Sequence, residues 1–189
     1  GMGVVSAIGN NVAENYDSLK KGESGICKVK YLETEHIEFP VGEVKLSNEE
    51  MCLLLNIPYT DKESRTDLLG MLAVSEALQS AGLKDTEHLA LISGTTVGGM
   101  DRTEKFYPDN LSADILENHD CGSGTDRIAE YFGNFDFATT ISTACSSALN
   151  AIIVGAEMIE SGLKDIVVVG GTESLSRFHL NGFKSLMIL

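Results

Sequence analysis

The 189-residue chain carries 28 acidic against 14 basic residues, a formal net charge of −14, with 43% hydrophobic and 22% charged residues. That length and mix suffice for a well-buried core, while the negative charge and the scatter of the basic residues weigh against partners such as nucleic acid or anionic membrane. No apolar run approaches a membrane span, no signal-like leader is visible, and four cysteines without a C-x-x-C pair exclude the common zinc and thioredoxin spacings and fit a reduced, cytoplasmic protein without a metal.

No internal repeat or low-complexity linker interrupts the chain, so residues 1–189 read as one domain. Asn10 or Asn11 caps a predicted helix through Lys21, stopped at Gly22. Phe39 to Val44 reads as a short strand. A long amphipathic helix is predicted from Ser64 to Ala81, with Leu68, Met71, Leu72 and Leu78 near one face and Gly82 at its end. Leu89-Ala90-Leu91-Ile92, ending in Ser93-Gly94, reads as a buried strand. Residues 95–125, with Gly98-Gly99, Pro108, Cys121, Gly122 and Gly124, read as an irregular connection.

Phe137 to Ser142 reads as a strand and Cys145 to Ser161 as a helix. Cys145, Ala148, Leu149, Ile152, Ile153, Ala156 and Ile159 recur at helical spacing in a broad stripe, which predicts deep burial. Gly162 stops this helix, and Ile166-Val167-Val168-Val169 follows as a fully buried strand ended by Gly170-Gly171. Strand, helix, strand in this order predicts a right-handed βαβ unit with parallel pairing. The class is α/β, with helices on both faces of the sheet.

Cys145 falls where a strand turns into a helix, between Ser142-Thr143-Ala144 and Ser146-Ser147-Ala148. Small neighbours permit a tight turn and a close approach to the sulfur. Unpaired N–H groups at a helix N-terminus carry partial positive charge. That charge favours the nucleophilic thiolate and stabilises an oxyanion on an attacked thioester carbonyl, with the Cys145 N–H as the natural first donor. A nucleophile on a strand-to-helix turn is a recurrent solution for acyl transfer. Simple packing is the plain alternative for a cysteine.

Ser142-Thr143-Ala144-Cys145-Ser146-Ser147-Ala148 resembles the active-site signature of the β-ketoacyl synthases, decarboxylative condensing enzymes of the thiolase-like superfamily. Other segments resemble the family in family order. They are Gly1 to Ser6 with Ile8-Gly9, Gly22-Glu23-Ser24-Gly25-Ile26, Ser93-Gly94 through Gly98-Gly99, Gly170-Gly171-Thr172-Glu173-Ser174, and Asn181-Gly182-Phe183. The resemblance implies a mixed, mostly parallel sheet flanked by helices, the N-terminal half of a layered α-β-α-β-α fold. It implies that Cys145 accepts an acyl group from a carrier-protein thioester and that malonyl carrier protein then extends it, in fatty acid or polyketide synthesis. No metal or coenzyme is implied beyond the phosphopantetheine arm of the acyl carrier protein.

By the same resemblance Phe183 matches an aromatic that gates the acyl pocket and Val97 a pocket wall that limits chain length; core packing is the plain alternative for both. Lys62 and Arg65 match basic positions that greet an acidic carrier protein, against a solvated helix start. Family members continue beyond this segment and carry there two histidines, or a histidine and an asparagine, and a lysine. None of His36, His88, His119 and His179 sits in the corresponding motif, so none is given a catalytic role, and the segment alone is expected not to complete condensation. Most of the family's first strand is expected to lie before Gly1. The resemblance also implies a homodimer, with Phe137 to Ile141 as the pairing edge. A non-catalytic chain-length partner, a thiolase and a truncated relic are the competing readings.

Overall fold

The structure is a computed structural model that describes residues 1–60, 63–133 and 135–188. Its contacts divide the chain into two compact units, one of Gly1–Tyr59, Leu72–Gly82 and Leu175–Leu189, the other of Thr60–Met71 and Leu83–Ser174.

The first unit begins with α1 (Val12–Lys21). Its start is set by Asn11, whose side chain accepts the Glu14 N–H at 2.9 Å, and its end by Gly22 in the left-handed region at φ 70°. Next is α2 (Asn48–Leu54), started by a capping box between Ser47 and Glu50. It buries Met51 and Cys52. The later turns of α3 (Arg65–Ser80) fasten the N-terminal segment. There the Glu76 carboxylate accepts the N–H groups of Val4 at 2.9 Å and Val12 at 2.8 Å.

The strand expected over Phe39–Val44 is absent. The segment makes one isolated antiparallel bridge, Cys27 with Val41. Pro40 lacks a ladder donor, and the buried Glu43 carboxylate takes over, accepting the N–H groups of Lys30 at 2.7 Å, Tyr31 at 3.0 Å and Leu32 at 2.8 Å. A side chain does here what a neighbouring strand does in a sheet.

The second unit is built on a three-stranded parallel sheet of order β2-β1-β3, with β1 Ala90–Gly94, β2 Phe137–Ile141 and β3 Val167–Gly171. β1 is central and buried throughout, as its apolar run predicts. β3 is only half-buried, contrary to expectation, because it lies at the margin of this sheet and, among the described residues, pairs with β1 alone. It also runs on through Gly170-Gly171.

Residues 95–125 are more ordered than their glycines suggest. They hold α4 (Met100–Phe106), α5 (Ala113–Leu116) and the start of α6 (Cys121–Phe132). Asp120 opens α6 by accepting the N–H groups of Gly122 at 2.7 Å and Ser123 at 3.0 Å. Gly124 brings α6 against Asp67 at the start of α3, where an added Cβ would meet Asp67 Oδ1 at 3.0 Å. Glycine thus serves packing here, where local propensity reads it as a breaker.

The faces of the sheet follow from the register. Gly94 and its partner Gly171 point toward α7 (Ser147–Glu160), so Ala90, Ile92, Val167 and Val169 share that face. Thr140 points the other way, and its hydroxyl meets that of Thr125 on α6 at 2.5 Å. Helices therefore cover both faces. Only the small-residue stripe of α7, Ser147, Ala151 and Gly155, is buried. Leu149, Ile152, Ile153 and Ile159 remain 46–60% exposed, which corrects the predicted deep burial: the sheet covers only the small-residue side of a helix whose apolar stripe is broader. No helix among the described residues is long and apolar enough to cross a membrane.

Candidate active site

Cys145 stands beyond the C-terminal end of β2, in a single 3₁₀ turn over Ala144–Ser146 that leads into α7. The α-helix itself begins at Ser147, two residues later than predicted. Ala144 is left-handed at φ 52°. A residue with a Cβ pays roughly 1–2 kcal/mol for that conformation, so other contacts hold it.

Ser147, almost fully buried, is the principal one. Its hydroxyl accepts the Thr143 N–H at 2.9 Å and donates to the Ala144 carbonyl at 2.7 Å. The Ser146 hydroxyl donates to the Thr143 carbonyl at 2.8 Å, and the Asn150 amide donates to the Thr143 hydroxyl at 2.8 Å. The Cys145 side chain is left exposed, and its N–H meets no acceptor among the described residues. A thiol in the open beside an unused backbone donor is what attack on a thioester carbonyl requires.

The glycines before and across from the turn explain its position. A Cβ on Gly94 would lie 2.6 Å from the Ala148 nitrogen and the Ser147 carbonyl carbon, and one on Gly171 would lie 2.8 Å from the Ala148 Cβ. Two bare strand ends let the first turn of α7 sit directly on the sheet.

A second loop, residues 95–98, leans on the turn. The Thr96 hydroxyl donates to the Ala144 carbonyl at 3.3 Å. The loop is gripped from β3: Thr172 N–H donates to the Gly94 carbonyl at 3.0 Å, and the Glu173 carboxylate accepts the Thr96 N–H at 2.6 Å, the Val97 N–H at 3.4 Å and the Thr95 hydroxyl at 3.1 Å. The Cys121 thiol donates to the Thr96 carbonyl at 3.3 Å.

Val97 follows Thr96 on this loop and is half-buried, with its N–H held by Glu173. Phe183 lies on α8 (Arg177–Ser185) in the other unit, 41% exposed and stacked on His179 with ring centroids 6.3 Å apart. Lys62 is outside the described residues. Arg65 corrects an expectation. It is 9% exposed, and its N–H donates to Asp101 Oδ2 at 2.9 Å, so it is a buried residue rather than a surface cation. The roles of Ser147, Thr96 and Glu173 escaped the sequence. The Gly-Gly-Thr-Glu motif marked Glu173, but nothing local says what its carboxylate holds.

Ionisable side chains are buried at the starts of α3 and α4. Burial pushes the Asp101 carboxyl up to about 6, against the Arg65 and backbone hydrogen bonds that favour its anion. Burial also raises Asp67, which accepts the Ser64 N–H at 2.9 Å. Arg102 is 6% exposed, with Nη2 at 3.5 Å from Asp114. No three His, Cys, Asp or Glu side chains among the described residues could together hold a metal ion.

Compared with known families, the chain matches the β-ketoacyl synthase N-terminal domain over residues 1–189. It is 29% identical to 3-oxoacyl-[acyl-carrier-protein] synthase 1 of Escherichia coli K12, over 93% of this chain and 46% of that protein. Among solved structures it superposes on a Xenorhabdus doucetiae ketosynthase in complex with its chain length factor, with TM-score 0.76 and 28% identity over 98% of this chain and 49% of that one. It also superposes on the ishigamide ketosynthase/chain length factor, with TM-score 0.82 and 25% identity over the same shares. The chain belongs to the β-ketoacyl synthase family, and its α/β fold is the thiolase-like one of the ketosynthases. It spans about half the length of the relatives it matches.

Proposed function

We propose that this chain is the nucleophile-bearing portion of a decarboxylative condensing acyltransferase working in fatty acid or polyketide synthesis. The Cys145 sulfur attacks the carbonyl carbon of an acyl thioester on a carrier protein. The tetrahedral oxyanion is met by the Cys145 N–H, the donor thiolate leaves with a proton, and an acyl-enzyme remains. A malonyl carrier thioester then loses carbon dioxide, its carbanion attacks the acyl carbon, and the bond to Cys145 breaks. The product is a β-ketoacyl thioester two carbons longer. The scheme calls on no metal or coenzyme, and the phosphopantetheine arm of the carrier delivers both substrates.

The single observation that supports this reading is the exposed Cys145, whose N–H meets no acceptor among the described residues, on a strained strand-to-helix turn. A non-catalytic partner subunit has no use for that arrangement. Val97 is the proposed pocket wall, consistent with its loop; the gating role of Phe183 and carrier docking by Lys62 rest on the resemblance alone. Two of the solved relatives pair a ketosynthase with a chain length factor. We propose a two-subunit assembly for this chain as well, a homodimer formed along β2, a marginal strand whose Phe137 is 44% exposed.

The gene product, incubated with an acyl carrier thioester, is expected to gain one acyl mass located by peptide mapping at Cys145. Cys145→Ala is expected to abolish both adduct and condensation. An adduct retained in that variant, or none in the wild type, overturns the assignment.

A further inference from the structure

We infer that Thr96 is a positioning residue for acylation of Cys145, acting through the Ala144 carbonyl and itself set in place by Glu173; this rests on the acyl-transfer reading above. In a trans peptide the carbonyl and the following N–H point in opposite directions. The plane that carries the Ala144 carbonyl therefore also aims the Cys145 N–H. That carbonyl is held from two sides, by the Ser147 hydroxyl at 2.7 Å from within the turn and by the Thr96 hydroxyl at 3.3 Å from a separate segment. With Ala144 at φ 52°, the plane sits on a strained backbone, and a second anchor keeps it from rotating.

Thr96 is an exposed residue on a short loop, so its own placement needs a cause. Glu173 supplies it. One carboxylate oxygen accepts the Thr96 and Val97 N–H groups and the other the Thr95 hydroxyl. The Thr95 hydroxyl in turn accepts the Gly98 N–H at 3.3 Å. A chain of contacts thus runs from the end of β3 through Glu173 and Thr96 to the Ala144 carbonyl, and ends at the donor that faces the developing oxyanion. When the Cys145 sulfur–carbon bond forms and the donor's carbon–sulfur bond breaks, that N–H must already be aimed, because a preorganised dipole costs no reorganisation during reaction.

Two reactions of the same sulfur separate this role from a merely structural one. Acylation by a thioester passes through an oxyanion; alkylation by iodoacetamide displaces iodide and forms none. In the gene product, Thr96→Val is expected to slow single-turnover acylation on the order of tenfold while leaving alkylation within about twofold of wild type. Thr96→Ser, which keeps the hydroxyl, is expected to restore acylation, and Glu173→Gln to show the same split more weakly. Wild-type acylation in Thr96→Val, or an equal fall in both reactions, overturns the positioning role. A wild-type protein that alkylates but takes no acyl group overturns the acyl-transfer reading itself, and this inference with it.

Discussion

The two ends of the central sheet are built from different chemistry. At the C-terminal ends of the strands, hydroxyls and backbone groups of Thr95, Thr96, Thr143 and Ser147 set the loop and the turn that carries Cys145, and both Glu173 oxygens are occupied. At the N-terminal ends stand charges. Lys164 pairs with Asp136 at 2.6 Å and donates to the His88 carbonyl at 3.1 Å, and His88 lies 3.5 Å from Asp136. The charged end faces solvent, where screening leaves ion pairs little weight. The other end ties the Glu173 carboxylate to loop donors and holds the strained Ala144 backbone beside the Cys145 N–H, and fixed dipoles are what stabilise charge that appears only during a reaction.

The largest expected effect that would break this contrast is at Gly94. Gly94→Ala drives a Cβ to within 2.6 Å of the α7 backbone, so the helix and the turn before it must lift from the sheet. A loss of about 3 kcal/mol or more in urea unfolding is expected, together with loss of acylation. A variant as stable and active as wild type would mean that the bare strand end does not seat the turn.

Next in size is a pH effect from the start of α4. The folded Asp101 carboxyl holds its proton up to about 6, above its ordinary value of 3.8. Between these values the unfolded chain ionises first, so the Asp101 contribution to stability falls as pH rises from about 4 to about 6, by up to about 3 kcal/mol. Asp67, also raised by burial, acts in the same direction. Asp101→Asn is expected to flatten most of that slope in urea melts across the range. An unchanged slope would assign the titration elsewhere.

The smallest effect belongs to the charged end. Lys164 holds the exposed Asp136 carboxyl below its usual range. Asp136→Asn is expected to leave the melting midpoint and acylation at Cys145 essentially unchanged, and still less altered at high salt. A large loss would make the two ends equal partners in stability.

Much of this protein was legible from short-range pattern. Asn11 and Gly22 bound α1, the stripe Leu68, Met71 and Leu78 marks α3, and the apolar run through Ile92 is the central strand. The small residues around Cys145 marked the turn that leads from β2 into α7, and the strand–helix–strand order implied the parallel sheet. These features depend on caps and periodicity within a few residues, which a sequence displays directly. Tertiary structure alone decided the rest. It turned a glycine-rich stretch into α4, α5 and α6, left one face of α7 open, buried Arg65, and replaced the expected strand at Phe39 with the grip of Glu43. It also brought Glu173 to Thr96, 77 residues away, and Thr96 to Ala144, 48 away. Such contacts join segments through the topology of the sheet, and no local periodicity encodes which side chain will meet which distant backbone group.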